Sequence, residues 1–212
     1  MNRLFFLSIL LLFCSSSWAS TQKGVGMEIS VGYPSLTIAT GSLNAKYSGV
    51  AVQGDVLFPL LNSGLFSIDF DLSYRYTSLT NNASTAALAE WGQFNGLGTG
   101  VRFNYSYLFA GIDYQFMRGK HLKAGTVNEL FEYDYNPTQW QAGLALPLSP
   151  VTSVVLGYSQ ILTTELTTQN QNIKLNEQII WFKIQIDFGI SFFNLLAPGD
   201  TFAPTRNSFF VQ

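Results

Sequence analysis

The sequence has few charged residues for its length. Asp, Glu, Lys and Arg make up 11% of its 212 residues, whereas 47% are hydrophobic and 15% are aromatic. Soluble domains carry roughly 25% charged residues, so a surface that faces water on every side is hard to build from this composition. The formal net charge of -2 offers no basic surface for nucleic acid, and we expect no nucleic-acid partner.

Cysteine and histidine are almost absent. Cys14 is the single cysteine and lies in a predicted export signal, so we expect no disulfide and no cysteine-ligated metal in the mature chain. His121 is the single histidine, and its segment lacks the His-x-Ser arrangement of the small lipid A deacylases. Ser78 or Asp134 would reach it only through chance folding of loops. Zinc spacings, calcium loops and phosphate-binding glycine loops are also missing. We therefore predict no catalytic residue, no metal site and no cofactor.

Long apolar runs are missing apart from one near the start of the chain. Arg3 precedes an apolar run at 4–14, and residues 17–19 (Ser-Trp-Ala) have the small-x-small pattern of a signal-peptide cleavage site. The run is shorter than the roughly 20 residues of a membrane-spanning helix. A lipoprotein signal would also use Cys14, but Phe13 stands where such signals have a small residue. We predict a signal peptide over 1–19, a barrel over 20–193 and a C-terminal tail over 194–212.

What the chain does contain is period-two alternation of apolar and polar residues. In the clearest case, residues 66–77 place Phe, Ile, Leu and Tyr on one face and Ser, Asp, Arg and Thr on the other. A period of two predicts β-strands rather than helices. Eight segments show it, at 24–33, 45–58, 66–77, 93–105, 107–117, 138–146, 151–162 and 178–190.

The connections between these segments alternate in length. Even strand number, with short turns opposite long loops, is the signature of bacterial outer-membrane barrels. We predict an all-β, eight-stranded antiparallel up-and-down transmembrane β-barrel with a polar filled lumen. Its loops would be extracellular, and its N-terminus and C-terminal tail periplasmic. The short links lie at 59–64, around Ser106 and at 147–150, and the long links at 34–44, 78–92, 118–137 and 163–177.

A soluble eight-stranded barrel, such as a lipocalin, would show the same alternation with its faces exchanged. The composition of the polar face decides between the two. Gly, Ser, Asn, Gln and Asp predominate there over the Lys and Glu of a water-facing surface, and Gly96, Gly98 and Gly100 share that face. Aromatic residues also concentrate at strand ends, as in the girdles at membrane interfaces. Both observations favour the membrane barrel.

Over about residues 24–193, the pattern resembles the small eight-stranded outer-membrane proteins of the OmpA, OmpX and OmpW kind. The resemblance is architectural. It implies outer-membrane lipids and the barrel-assembly machinery as partners, while members of that group include membrane anchors, adhesins and narrow channels. The carboxyl end departs from the group, because Phe192 and Phe193 are followed by a tail instead of ending the chain.

Nine charged residues fall on the polar face. An eight-stranded barrel is just wide enough for side chains to fill it, so we interpret the nine as an ion-pair network that plugs the lumen. Arg102 and Lys183 are the expected neutralising bases. Their expected partners are Asp69, Asp71 and Asp187. A narrow path for cations is the alternative, favoured by the excess of acids. The nine residues are Glu28, Asp55, Asp69, Asp71, Arg75, Arg102, Asp113, Lys183 and Asp187.

A basic segment follows Phe116, an aromatic residue predicted at the upper membrane interface. It contains Arg118, Lys120, His121 and Lys123. Because Arg and Lys bind phosphates, we predict contacts with lipopolysaccharide, with plain solvation of these side chains as the alternative. The sequence thus predicts a non-enzymatic integral outer-membrane barrel whose exposed loops contribute to envelope structure or surface contacts. A narrow cation-favouring or small-solute channel is the alternative function, and a lipid-modifying enzyme is the third.

Overall fold

The computed structural model describes residues 24–40, 43–63, 66–82, 91–122, 130–162, 164–168 and 171–188. The predicted signal peptide and C-terminal tail lie outside these residues. In this part of the chain, no helix is long and apolar enough to cross a membrane. The strands are β1 (Gly26–Thr40), β2 (Leu43–Ser63), β3 (Phe66–Asn81), β4 (Trp91–Tyr105), β5 (Leu108–Leu122), β6 (Leu130–Tyr135), β7 (Thr138–Pro147), β8 (Thr152–Ile161), β9 (Thr164–Thr168) and β10 (Gln171–Asp187).

The strands pair antiparallel, and the sheet closes on itself. β1 pairs with β2 on one side and with β10 on the other. β6 and β7 both pair with β5, and β8 and β9 both pair with β10. Each of these two couples therefore forms one wall strand with an interruption. The result is a closed eight-stranded antiparallel barrel, which confirms the predicted fold class.

Side chains alternate between a lumen-facing and an outward-facing row. Along β3, Asp71, Ser73 and Arg75 are buried, whereas Leu72 and Tyr74 are exposed. An exposed apolar surface of this extent is unfavourable in water but matches the hydrocarbon band around outer-membrane barrels. The belt includes Met27, Ile29, Val31, Val52, Leu72, Leu97, Ile112, Leu144, Leu156, Ile180, Phe182 and Ile184.

The polarity of this alternation reverses at one end of the barrel. We call it the loop end, and define it by the last residues of β1 and the first residues of β2. There Leu36 and Tyr47 are buried in the lumen, while Ser35 and Lys46 face outward and are exposed. The strands therefore continue beyond the apolar belt with an apolar interior and a polar exterior. This is the arrangement of a protein surface that stands in water.

The reversal explains why several predicted loops are wrong. The sequence predicts loops at 34–44 and 163–177, but β1 and β2 cover most of the first segment, and β9 and β10 most of the second. In sequence, the lipid-facing alternation stops where the outward residues become polar, so the strand is predicted to end there. The strand in fact continues with its polarity reversed. The predicted loop at 118–137 is likewise shortened by β5 and β6. The predicted turn at 59–64 is largely strand, because β2 runs to Ser63 with a bulge after Pro59.

The turn predicted around Ser106 is confirmed. It joins β4 to β5 and marks the turn end of the barrel, opposite the loop end. Ser106 has a φ of 54°, and it is the one non-glycine residue with positive φ among the described residues. Tight hairpin turns favour this left-handed conformation because it matches the twist of the strands.

Gly96 lies on β4 where β5 approaches closely. A Cβ at this position would overlap the main-chain oxygen of Phe116 and would lie 2.6 Å from the Cα of Met117. Both are backbone atoms, which cannot swing aside as a flexible side chain can. Gly54 on β2 provides a contrast, because it faces outward and has no atom within 4 Å of a Cβ built there.

We predict that Gly96→Ala lowers the free energy of unfolding by about 1–3 kcal/mol, the usual cost of overpacking. The matched variant Gly54→Ala should not lower it, since a Cβ there meets no atom and Ala restricts the unfolded chain. The measurement is urea unfolding of the barrel refolded in detergent, followed by heat-modifiable migration on gels. Equal urea midpoints for the two variants would contradict the assigned packing.

Candidate functional site: a charged network in the lumen

Glycines on β4 make room for lumen side chains of the neighbouring strands. The backbone register aligns Gly100 with Asp71 on β3 and Asp113 on β5, and it aligns Gly98 with Gln115. A Cβ at Gly100 would overlap Oδ1 of Asp113, and a Cβ at Gly98 would overlap the Gln115 amide. The β5 side chains therefore extend across β4 toward β3.

Glu28 of β1 is the centre of the network. Nη1 and Nη2 of Arg102 donate to the Glu28 carboxylate at 3.0 to 3.1 Å, and Nζ of Lys183 donates to Glu28 Oε1 at 2.6 Å. All three side chains are fully buried. The Arg102 guanidinium also lies 4.5 Å from the centroid of the Phe109 ring. Attraction between charges strengthens where water is excluded, and it offsets the cost of burying them.

A second ion pair lies nearer the loop end. Nη2 of Arg75 is 2.9 Å from Oε2 of Glu177, and Nη1 donates to Oε1 of Gln139 at 3.0 Å. The guanidinium also contacts Sδ of Met117 at 3.0 Å. Arg75 and Glu177 are both buried. This pair joins β3 to β10, which are not neighbours in the sheet.

Three of the remaining carboxyls accept hydrogen bonds from neutral donors. Asp55 accepts from Gln53 Nε2 at 2.5 Å, and Asp69 accepts from Asn104 Nδ2 at 2.8 Å. Asp113 accepts a longer hydrogen bond, 3.4 Å, from Gln139 Nε2. Such bonds satisfy oxygen atoms without supplying a positive charge.

An apolar cluster covers the network toward the loop end. Its residues come from most of the barrel strands and fill the lumen above Arg75 and Glu177. The members are Leu36, Ala45, Tyr47, Leu79, Phe94, Met117, Ile161 and Leu175, with Ile38 packed against them. We call this cluster the apolar cap. Side chains thus fill the lumen, with the Glu28 network toward the turn end, a small apolar cluster of Ala51, Ile179 and Trp181 next to it, and the apolar cap toward the loop end.

Eight of the nine charged residues placed in the lumen by sequence are buried there, and Asp187 is half-buried at the turn end. Asp187 accepts from the backbone nitrogen of Gly24 at 3.0 Å. The pairing differs from the expectation, because Arg102 and Lys183 both contact Glu28, and no described ion pair joins either of them to Asp71.

Glu177 was missed by sequence reasoning, which places it in a loop. A signal was available, because Leu175, Glu177, Ile179 and Trp181 continue the same row of alternate residues as Lys183, and all are buried. The row was hidden because its residues are mostly apolar, whereas a polar row is expected in a lumen.

The basic segment lies in a strand instead of a loop. Arg118 and Lys120 belong to β5 on its outward row, and Arg118 is exposed. In the register, Arg118 is opposite Asp134 and Lys120 is opposite Glu132 of β6, while His121 pairs with Gly92. Lys123 lies outside the described residues. Each outward base therefore stands beside an acidic position, which lowers the net positive charge of the segment.

Solved outer-membrane barrels have a similar fold. Neisserial surface protein A (NspA) is 9% identical, with 76% of this chain and 97% of NspA covered at a TM-score of 0.53. Ail, the attachment invasion locus protein of Yersinia pestis, is 13% identical, with 77% and 99% covered at 0.44. The N-terminal β-barrel domain of Pseudomonas aeruginosa OprF is 10% identical, with 76% and 99% covered at 0.40.

Similarity at these identities concerns the fold. No family model and no curated protein sequence matches the chain. The chain has the fold of the small eight-stranded outer-membrane barrels, in agreement with the architectural resemblance of its sequence.

We predict that Arg102→Ala lowers the free energy of unfolding by about 3–5 kcal/mol, because it leaves Glu28 with one base in a buried site. The exposed Arg118→Ala is the matched control and should have little effect, since exposed charges are screened by water. Urea midpoints of the refolded barrels measure both. An Arg102→Ala midpoint equal to that of Arg118→Ala would show that the lumen is hydrated and that Arg102 is solvated.

Proposed function

We propose that the protein is a non-enzymatic, non-conducting barrel of the bacterial outer membrane whose loop end projects from the membrane and makes envelope or surface contacts. The observation that carries this proposal is the sealed lumen. Its charged part is filled by buried ion pairs, and its loop end is filled by the apolar cap. A protein without an open path through the membrane has to act through its surfaces.

The loop end supplies such a surface. Lys46, Arg118 and Lys174 are exposed there on outward rows of three strands, above the apolar belt. Because the strands stay paired beyond the apolar belt, the connections between them begin on a rigid scaffold above the membrane surface and not at the membrane surface itself. We propose that this end faces the cell exterior, with the N-terminus and the C-terminal tail in the periplasm.

The proposed partners are outer-membrane lipids, the assembly machinery that inserts the barrel, and an unidentified surface partner. Contact between Arg118 or Lys120 and lipopolysaccharide phosphates is part of this proposal, since both lie on the outward row just above the exposed Phe116. Arg and Lys suit phosphate oxygens. The acidic positions of β6 opposite both bases limit the strength of that contact.

A narrow cation-favouring channel is the second candidate. It is supported by the excess of carboxyls over bases in the lumen, because a negative lining attracts cations. Its weakness is the apolar cap, since an ion crossing packed hydrocarbon loses its water without gaining ligands. A lipid-modifying enzyme has no supporting observation beyond the presence of His121.

We expect negligible single-channel conductance from the refolded wild-type barrel in planar bilayers, since the apolar cap closes the lumen. Phe94 of the cap and the exposed, outward-facing Phe103 provide matched positions on β4. Phe103→Ala should remain silent, whereas Phe94→Ala is the variant expected to admit ions. Stable, cation-selective conductance of the wild type would overturn the proposal in favour of the channel.

A further inference from the structure

The lumen contains more carboxyl groups than its bases can neutralise. Three bases are buried there, and they contact Glu28 and Glu177. In the described part of the chain, no ion pair reaches Asp55, Asp71 or Asp113. A buried carboxylate without counter-charge is costly, so the surplus negative charge requires another source of neutralisation. The buried carboxyls are Glu28, Asp55, Asp69, Asp71, Asp113 and Glu177.

Two of these groups lie in one backbone row. Asp71 and Asp113 both align with Gly100, one from each side, and the Asp113 carboxylate lies over this glycine. Oδ1 of Asp71 and Oδ1 of Asp113 are buried, and neither has a hydrogen-bond partner. A buried polar atom without a partner calls for an explanation, and a bound ion is one.

A neutral side chain in the next row, whose Nε2 donates to Oγ of Ser73 at 3.4 Å, also has an oxygen without a hydrogen-bond partner. Gln115 follows Asp113 on the lumen row of β5 and is fully buried, and its Oε1 also has no hydrogen-bond partner. It lies across Gly98, the next lumen glycine beyond Gly100 on β4. The amide oxygen is a neutral acceptor, so either a cation or a hydrogen-bond donor could satisfy it.

We propose that the lumen binds a hard, oxygen-ligated cation between Asp71 and Asp113, with Oε1 of Gln115 as a further ligand. The described residues contain no group of three or more His, Cys, Asp or Glu placed to hold a metal. The site therefore depends on two carboxylates supplemented by neutral oxygens. Ca²⁺ fits this class, because it accepts carboxylate and amide oxygens in irregular geometry, whereas Mg²⁺ demands a regular octahedron.

The proposed site goes beyond the surface role and does not depend on it. It departs from the sequence analysis, which predicts no metal site, because the two carboxylates are 42 positions apart in the sequence and meet only across the glycines of β4. The apolar cap closes the loop end of the lumen. The cation would therefore enter from the turn end, through the charged part of the network.

The test is equilibrium dialysis of the full refolded barrel, first freed of metal with a chelator and then exposed to Ca²⁺ alone. We expect saturable binding of about one Ca²⁺ per barrel and a higher urea midpoint in Ca²⁺ than in choline chloride at equal ionic strength. Asp71→Asn and Asp113→Asn keep the side-chain shape and should each weaken binding by at least about tenfold. Asp134→Asn removes an exposed carboxylate and should leave binding unchanged.

Absence of saturable Ca²⁺ binding to the folded wild type would overturn the proposal, and this arm holds even if an Asn variant fails to fold. Loss of binding in Asp134→Asn, with retention in both lumen variants, would place the ion on the outer surface and also overturn it. A urea midpoint that responds to acidification but to no metal cation would also overturn the proposal, because it would show that protons neutralise the surplus carboxyls.

Discussion

The rest of the structure depends on the burial of Glu28 between two bases. Arg102 comes from β4, three strands away from β1 around the barrel, and Lys183 comes from β10 on the other side of β1. A charge buried in the lumen is costly unless it is paired, since an unpaired buried charge costs several kcal/mol. The observed strand order and stagger bring these three side chains together. The Arg75–Glu177 pair imposes the same condition between β3 and β10. Both pairs cross the lumen, so they resist changes of register that neighbouring-strand hydrogen bonds alone would allow.

The surroundings dictate where the polarity of the strands reverses. Within the membrane, apolar residues such as Ile184 face lipid, and Lys183 turns into the lumen. Toward the loop end of the same strand, Leu175 is buried and Lys174 faces outward. One continuous strand therefore presents apolar residues to lipid along one part of its length and polar residues to water along the other. The same change of polarity accounts for the sealed lumen, because the apolar residues of the loop end lie on the inward row and form the apolar cap.

The sequence predicts the parts of the fold that have a local signal. Alternation along β3 and the turn at Ser106 identify strands, and the charged positions of the lumen row follow from the same period. The pairing of Arg102 with Glu28 has no local signal, because it depends on the stagger of the closed barrel. Glu177 and Leu36 were missed for a different reason. Their strands pass from lipid to water, and a rule that expects polar residues in the lumen fails beyond that boundary.

The central claim is that the outward row of β10 leaves the membrane while the strand continues. Nitroxide labels at Asn176, Gln178, Ile180 and Ile184, placed one at a time in barrels reconstituted in lipid vesicles, test it directly. Relaxation by oxygen reports hydrocarbon, and relaxation by a water-soluble nickel complex reports water. We predict that relaxation by nickel dominates at Asn176 and Gln178, which are exposed polar positions. Relaxation by oxygen should dominate at Ile180 and Ile184, which belong to the apolar belt. Oxygen-dominated relaxation at Asn176 and Gln178 would place the loop end inside the bilayer and contradict the account.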